Sequence, residues 1–235
     1  MNSYLLKEGR HTTHTDYDTE TTTEALSLNG LTVHRSPLIK THNIVLKRVL
    51  DIVISVAVIL CLLSWLLPVL ALLIKIDSSG PVFFLQKRNS KNGRFFYCIK
   101  LRTMVVNRDA DTLTATLNDQ RITGLGRFLR ISHLDELPQF LNVLAGSMSV
   151  IGPRPHMFSE NVRYNSMFSY YNDRHFVKPG ITGLAQSLGY NGPITSFYQI
   201  EKKVAYDIFY INNWTLMMDI KIMARTVAMI YRKFI

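Results

Sequence analysis

From Ile52 to Ile74 the chain runs for 23 residues without a charged side chain, and nothing else in it restricts the fold as strongly. As a straight helix this run would reach about 34 Å, enough to cross a hydrocarbon core of about 30 Å. Two features speak against a plain crossing. Pro68 lies inside the run, where it removes a backbone donor and crowds the preceding turn, so a bend is expected just before it. Both flanks are also basic: Lys47 and Arg48 precede the run, and Lys75, Lys87, Arg88, Lys91 and Arg94 follow it. Positive residues favour the cytoplasmic side, and here they favour it at both ends. A helix that enters the bilayer, bends at Pro68 and returns to the same leaflet satisfies both features. A kinked spanning helix satisfies the composition equally well.

The remainder divides around this segment. Residues 1–44 carry the Thr-rich tract from Thr12 to Thr23 and too little apolar material to offset the entropy of ordering, so they read as a disordered polar arm. A short strand through Leu31 to Val33 is the alternative. The arm lacks the basic start and apolar stretch of a secretory signal, so export is not expected. Residues 45–76 form the membrane helix and residues 77–235 a cytosolic domain, of α+β class and mostly helical. Two β-prone runs, Val82 to Gln86 and Arg94 to Leu101, flank Asn92-Gly93 and predict a small β-hairpin. Residues 103–120 read as loop or short helix, and helical patterning begins at Gly124. From Tyr206 to Ile235, Ile208, Ile211, Trp214, Ile220 and Met223 alternate with Lys221, Arg225 and Arg232. That stripe predicts amphipathic helices, with Trp214 as an aromatic anchor on a membrane surface or the same face packed on the core.

Charge narrows the partners without choosing among them. The net charge is +10, but residues 1–46 carry four Lys/Arg against five Asp/Glu, which leaves the rest near +11. Such a field attracts nucleic acid, anionic lipid or phosphate-bearing substrates. The membrane run and the lack of a recognisable nucleic-acid module disfavour the first. The two cysteines, Cys61 and Cys98, have neither metal-ligand spacing nor a disulfide framework, which fits a reducing, cytosol-facing compartment.

Chemistry concentrates between Arg121 and Pro155. Asp135 and Glu136 are adjacent carboxylates among Arg121, Arg127, Arg130 and Arg154, a setting expected to keep both ionised. An ionised Asp needs no general base to act as a nucleophile. Ser132-His133-Leu134-Asp135 also fits an ordinary capping box. Pro138 weighs against that register, because a helix capped by Ser132 would place it where its missing N–H breaks the ladder. A helix starting at Asp135 leaves Pro138 where the N–H has no partner anyway. Gly124-Leu125-Gly126 is not a dinucleotide loop, since Leu129 stands where the third glycine belongs, and no P-loop lysine occurs. His133, His156 and His175 lack zinc spacing.

At these residues the chain from Lys47 onward resembles the bacterial sugar transferases, the monotopic phosphoglycosyl transferases. The resemblance rests on Lys47-Arg48 with Asp51, SSGPVFFLQKR at 78–88, IKLRTM at 99–104, RITGLGRFLR at 121–130, LDELPQFLNVLAGSMSVIGPRP at 134–155 and VKPGITGLAQ at 177–186. It implies transfer of a sugar 1-phosphate from a UDP-sugar to polyprenyl phosphate, with Asp135 as nucleophile and Glu136 as its partner in a Mg²⁺ site. It implies phosphate-binding roles for Lys100, Arg102, Arg130 and Arg154. It further implies a re-entrant helix bent at Pro68, amphipathic helices on the membrane, and a catalytic domain on the cytoplasmic face of the bacterial inner membrane; it allows a homodimer and no nucleic-acid partner. Two departures matter. Leu67, not the Ser frequent in such helices, precedes Pro68, and Gly189-Tyr190-Asn191-Gly192 replaces the Gly-Arg that often follows the AQ block, so that arginine's substrate contact is not carried over. The G-Y-x-G form resembles the hexose 1-phosphate, glucose-type branch. A non-catalytic membrane adaptor for polysaccharide assembly is the alternative from another functional class.

Overall fold

The apolar run lies within one continuous helical stretch, Thr41–Asp77, in the computed structural model of the chain, which describes residues 36–233 except 110–112, 114, 117–118, 193 and 195. The polar arm expected over residues 1–44, and its alternative strand at Leu31 to Val33, lie outside the described residues up to residue 35. Helical structure starts earlier than residue 45. Ser36 caps a short 3-10 turn, Pro37–Ile39, accepting from the Leu38 N–H at 3.1 Å and donating its hydroxyl to the Ile211 carbonyl at 2.6 Å.

In chain order the elements are α1 (Thr41–Val58), a π-helical segment (Ile59–Leu63), α2 (Ser64–Asp77), β1 (Phe83–Asn89), β2 (Phe95–Leu101), α3 (Gly124–Ile131) and α4 (Gln139–Leu144). They continue with β3 (Ser149–Ile151), α5 (Phe158–Met167), β4 (Gly180–Thr182), α6 (Leu184–Ser187), α7 (Phe197–Asn212) and α8 (Leu216–Arg232). The mostly helical expectation holds. β1 and β2 form the predicted antiparallel hairpin, with Phe83 opposite Leu101 and Asn89 opposite Phe95. Its turn needs positive φ at Asn92 (57°) and Gly93 (70°), which this pair of residues adopts at little cost.

The departure from α geometry in the apolar stretch precedes Pro68. π-helical turns are recognised sites of bending, and here the Ser64 hydroxyl donates to the Leu60 carbonyl (2.7 Å) and the Trp65 indole N–H to the Cys61 carbonyl (2.9 Å). Only 17% of the apolar window is buried, whereas a core helix of a soluble domain would be mostly covered. Leu60, Trp65, Leu72 and Ile76 stay exposed, a surface that water disfavours.

Both ends of the stretch grip the same body. Near its start, Arg48 donates to the carbonyls of Val143 (2.6 Å) and Leu144 (2.8 Å) at the end of α4, where a cation suits the helix terminus. Asp51 accepts from the Ser149 hydroxyl and the Val150 N–H, each at 2.9 Å. Near its finish, Leu70 and Ile74 build a small core with Leu101 and Leu129, against which Leu125 and Leu134 also pack.

One feature decides between the two readings of the stripe from Tyr206, and a second had no counterpart in the sequence reading. Trp214 is not a membrane anchor: it is 3% exposed, lies in the main core with Ile211 and Ile222, and donates its indole N–H to Asp219 at 3.0 Å. The stripe from Tyr206 is split there into α7 and α8, so its apolar residues serve a core, while Met217, Ile220 and Val227 remain outside. Second, β3 and β4 form a parallel pair that joins Ser149 to Gly180 and Ile151 to Thr182. Three-residue strands far apart in sequence leave no local pattern to read.

Candidate active site

Asp135 and Glu136 lie in a 3-10 turn, Leu134–Glu136, between α3 and α4. The capping-box register is absent. Ser132 closes α3 instead, donating its hydroxyl to the Phe128 carbonyl at 2.8 Å, and His133 turns the chain with a φ of 58°. Pro138 stands as the residue preceding α4, where its missing N–H breaks no helical bond. Asp135 is thus set one turn ahead of a short helix, not at that helix's first residue.

Packing explains why this turn sits where it does. A Cβ on Gly126 would lie 2.0 Å from the Thr103 carbonyl oxygen, so α3 can approach the end of the hairpin only because that residue is glycine. This accounts for Gly126 without any nucleotide, whereas a Cβ on Gly124 would meet nothing within 4 Å. The close approach lets Arg130 donate its Nε–H to the Thr103 hydroxyl at 2.8 Å, and among the described residues its terminal nitrogens carry no hydrogen bond. Leu134, the residue before Asp135, packs on the small core that Leu101 and Leu129 share with Leu70 and Ile74 of α2.

The two carboxylates are treated differently. Glu136 is clamped: Lys100 Nζ reaches its Oε1 at 2.7 Å, and Arg154 binds it through two nitrogens, at 2.5 Å and 3.1 Å. Burial works to raise its pKa, and Arg154 and Lys100 more than reverse that, holding it well below the usual carboxylate range. Asp135, 7% exposed, has no hydrogen bond or ion pair among the described residues. Burial, and then the charge of Glu136, push it up to about 6 against the pull of Lys100, Arg130 and Arg154. The cations pull on both carboxylates, as sequence proximity suggested, but they outweigh burial only at Glu136. Asp135 remains mostly ionised at pH 7, unclamped and more basic than an ordinary aspartate, which suits a nucleophile.

Arg154 is held by its backbone as well as by Glu136. In the Pro153-Arg154-Pro155 strap, the Pro153 carbonyl accepts from the Gly180 N–H (2.9 Å), the Arg154 carbonyl from Arg174 (2.6 Å), and the Pro155 carbonyl from Arg88. Arg174 is buried, pairs with Asp207 at 2.6 Å, and also touches His156 and the Tyr171 hydroxyl. Burial raises Asp207 to about 6, with Arg174 opposing. Sequence reasoning gave Arg88 only as a basic flank of the apolar run and assigned no role to Arg174 or Asp207. Arg88 stands in a block it quoted, and Arg174 carried no signal.

Of the expected phosphate-binding residues, Lys100, Arg130 and Arg154 surround the two carboxylates, and Arg102 does not. Its guanidinium donates to the carbonyls of Ile74 (3.2 Å), Ser78 (2.6 Å) and Ser79 (2.7 Å), capping the end of α2. Replacing Arg102 by Ala should lower stability by about 1–3 kcal/mol, seen as a lower melting temperature. Arg102→Lys should not restore it, because one ammonium cannot span that fork. Pro68 lies within the apolar stretch and away from these side chains in sequence.

Asp135 and Glu136 are adjacent carboxylates of the kind Mg²⁺ takes, with both Glu136 oxygens already accepting from Lys100 or Arg154. Among the described residues no three His, Cys, Asp or Glu side chains gather as a metal cage, but Mg²⁺ commonly takes one or two carboxylates together with substrate phosphates and water. Asp135 and Glu136 supply two.

A carboxylate without an ion pair among the described residues is thus set among fixed cations, on a domain that packs against both ends of a long apolar helix. The profile of the bacterial sugar transferases matches residues 42–233, and the chain belongs to that family. It is 47% identical over 186 residues to a UDP-glucose:undecaprenyl-phosphate glucose-1-phosphate transferase of Klebsiella pneumoniae, covering 79% of this chain and 40% of that protein. A protein of the same name from Xanthomonas campestris pv. campestris is 44% identical, with 79% of this chain and 38% of that protein covered. An exopolysaccharide production protein PSS from Rhizobium leguminosarum bv. phaseoli is 43% identical over 79% of this chain and 95% of its own length. The chain thus spans about two fifths of the first two relatives.

Proposed function

We propose that this chain transfers a sugar 1-phosphate from a UDP-sugar to polyprenyl phosphate, and that the sugar is glucose, as the names of the Klebsiella and Xanthomonas relatives suggest for their branch. The observation that carries the reading is the contrast at Asp135 and Glu136: one carboxylate is clamped by two cations, and its neighbour has no ion pair among the described residues and follows Leu134, which packs on the cluster that Leu70 and Ile74 of the apolar helix share with Leu101 and Leu129.

In the first step an Asp135 oxygen attacks the sugar-bearing phosphorus of the UDP-sugar. The bond from that phosphorus to the bridging oxygen breaks, and UMP leaves with the electron pair. In the second step a phosphate oxygen of polyprenyl phosphate attacks the same phosphorus, frees the Asp135 carboxylate and yields a polyprenyl diphosphate sugar. Division into two steps lets the water-soluble and lipid substrates use one small site in turn. Like charges about 4 Å apart repel by roughly 4 kcal/mol at an effective dielectric near 20, so an anionic nucleophile needs cations around the diphosphate. Arg130 has free terminal nitrogens for this, and Arg154 sits on a backbone fixed at three carbonyls. Lys100 and Arg154 also neutralise Glu136, which lowers the repulsion Asp135 feels. Asp135 and Glu136 would hold Mg²⁺, which when bound supplies further charge neutralisation for the diphosphate.

The re-entrant reading of Thr41–Asp77 belongs to this proposal. Arg48 and Asp51 at one end, and Leu70 and Ile74 at the other, all pack on the domain that carries Asp135. A straight crossing would separate Asp51 from Ile74 by about 35 Å, on opposite sides of the bilayer. Entry and return on the cytoplasmic face keeps both anchors and the basic flanks on one side. The test is UMP release from a panel of UDP-sugars with polyprenyl phosphate and Mg²⁺. UDP-glucose should give the fastest release, and failure of every UDP-sugar would overturn the reading.

A further inference from the structure

A second group of cations lies away from Asp135. The hairpin turn, the turn between α4 and β3, and Lys178 before β4 enclose a cavity of about 380 Å³, lined by Lys91, Arg94, Phe96, Gly146, Ser147 and Lys178 among others. The Ser90 hydroxyl donates to the Ser147 carbonyl at 2.6 Å and ties the two turns together, so the walls are fixed to each other. Gly146 takes a φ of 82°, and a Cβ there would lie 3.6 Å from Lys178 Nζ and 3.7 Å from Arg48 Nη2. Those two cations therefore crowd one point at the rim.

No ion pair among the described residues balances the cations that line this cavity: no carboxylate lies in ion-pair range of Lys91, Arg94 or Lys178. Arg48 is held by the Val143 and Leu144 carbonyls and cannot turn away. Burial lowers the pKa of Lys178, and Arg48 and Lys91 lower it further while Asp51 opposes them. Lys91, Lys178 and Arg48 are half-buried, and such cations repel one another unless an anion joins them; Arg94 adds an exposed charge on the same lining.

The place is distinct from the reacting site. Lys100, which serves Glu136, and Phe96, which lines the cavity, are on the same strand, about 13 Å apart at strand spacing. Arg48 precedes Ile52 by one helical turn, about 6 Å along α1. Arg48, beside Gly146 at the rim, is thus one turn of α1 from the start of the apolar run.

We propose that this cavity is a second anion site, in which Lys91, Arg94 and Lys178 bind a phosphate group other than the one that reacts at Asp135. Two sources share that chemistry: the headgroup of an anionic phospholipid, and free phosphate in solution.

The test uses the full chain in detergent, titrated separately with inorganic phosphate and with dihexanoylphosphatidylglycerol, and reads the thermal melting temperature. The parent is compared with the Arg94→Gln/Lys178→Gln double variant, whose Asp135 site is unaltered, so binding at the reacting site contributes equally to both. Loss of one cation should weaken apparent affinity about tenfold, and loss of both about a hundredfold. Weakening seen with both ligands identifies free phosphate as sufficient, and weakening seen with the lipid alone identifies the headgroup; either supports the site. Equal responses of parent and variant to both ligands overturn it. Lys91→Gln and Arg94→Gln as single variants, both on the hairpin turn, give the same comparison should the double variant not fold.

Discussion

Asn in place of Asp135 leaves a folded chain with no measurable transfer. The side chain has no ion pair or hydrogen bond among the described residues, so the change orphans no partner. It also removes a buried charge that stands beside Glu136, so the melting temperature should hold or rise slightly. An amide cannot form the bond to phosphorus, and turnover should fall by about 10³-fold or more. UMP release measures the rate, and intact-protein mass spectrometry of the parent, given a UDP-sugar and no lipid acceptor, measures the phosphosugar adduct that the variant should lack. A near-normal rate in the variant would falsify the assignment of Asp135. An adaptor without catalysis would show no UMP release in parent or variant.

What could be read from the sequence was local. The hairpin was legible because Asn92-Gly93 and two β-prone runs lie side by side, and the carboxylate pair because its cationic neighbours share one stretch of chain. Pro138 excluded the wrong helix register through a rule about a single N–H. What stayed hidden was set by contacts between distant segments. The sequence places Arg130 and Arg154 on both sides of two acids, but only the fold gives Arg154 and Lys100 to Glu136 and leaves Asp135 unpaired. The resemblance implies that Arg102 is a phosphate ligand beside Lys100, yet it lies just past the end of β2 and is taken up by the carbonyls that close α2, a contact between distant segments. Trp214 reads as an anchor in an amphipathic stripe, yet the break between α7 and α8 turns it inward to Asp219.

The same kind of hidden contact yields the largest expected loss of stability, at Arg174. This guanidinium and the Asp207 carboxylate are 2% and 4% exposed, and they pair at 2.6 Å. Leu at position 174 would leave Asp207 buried without its cation, a change that commonly costs about 3–5 kcal/mol. For a domain of this size that corresponds to a fall in melting temperature of roughly 10 °C. The rate should fall too, since the Arg154 carbonyl loses the donor that fixes the strap. A double variant, Arg174→Leu/Asp207→Leu, separates the two effects. With no charge left to orphan, it should regain much of the lost stability. Its Arg154 carbonyl is still unheld, so transfer should stay slow, with the deficit in kcat larger than that in KM. Recovery of both stability and rate would mean that Arg174 serves only to neutralise Asp207. Recovery of stability alone makes it a positioning residue for the Arg154 clamp.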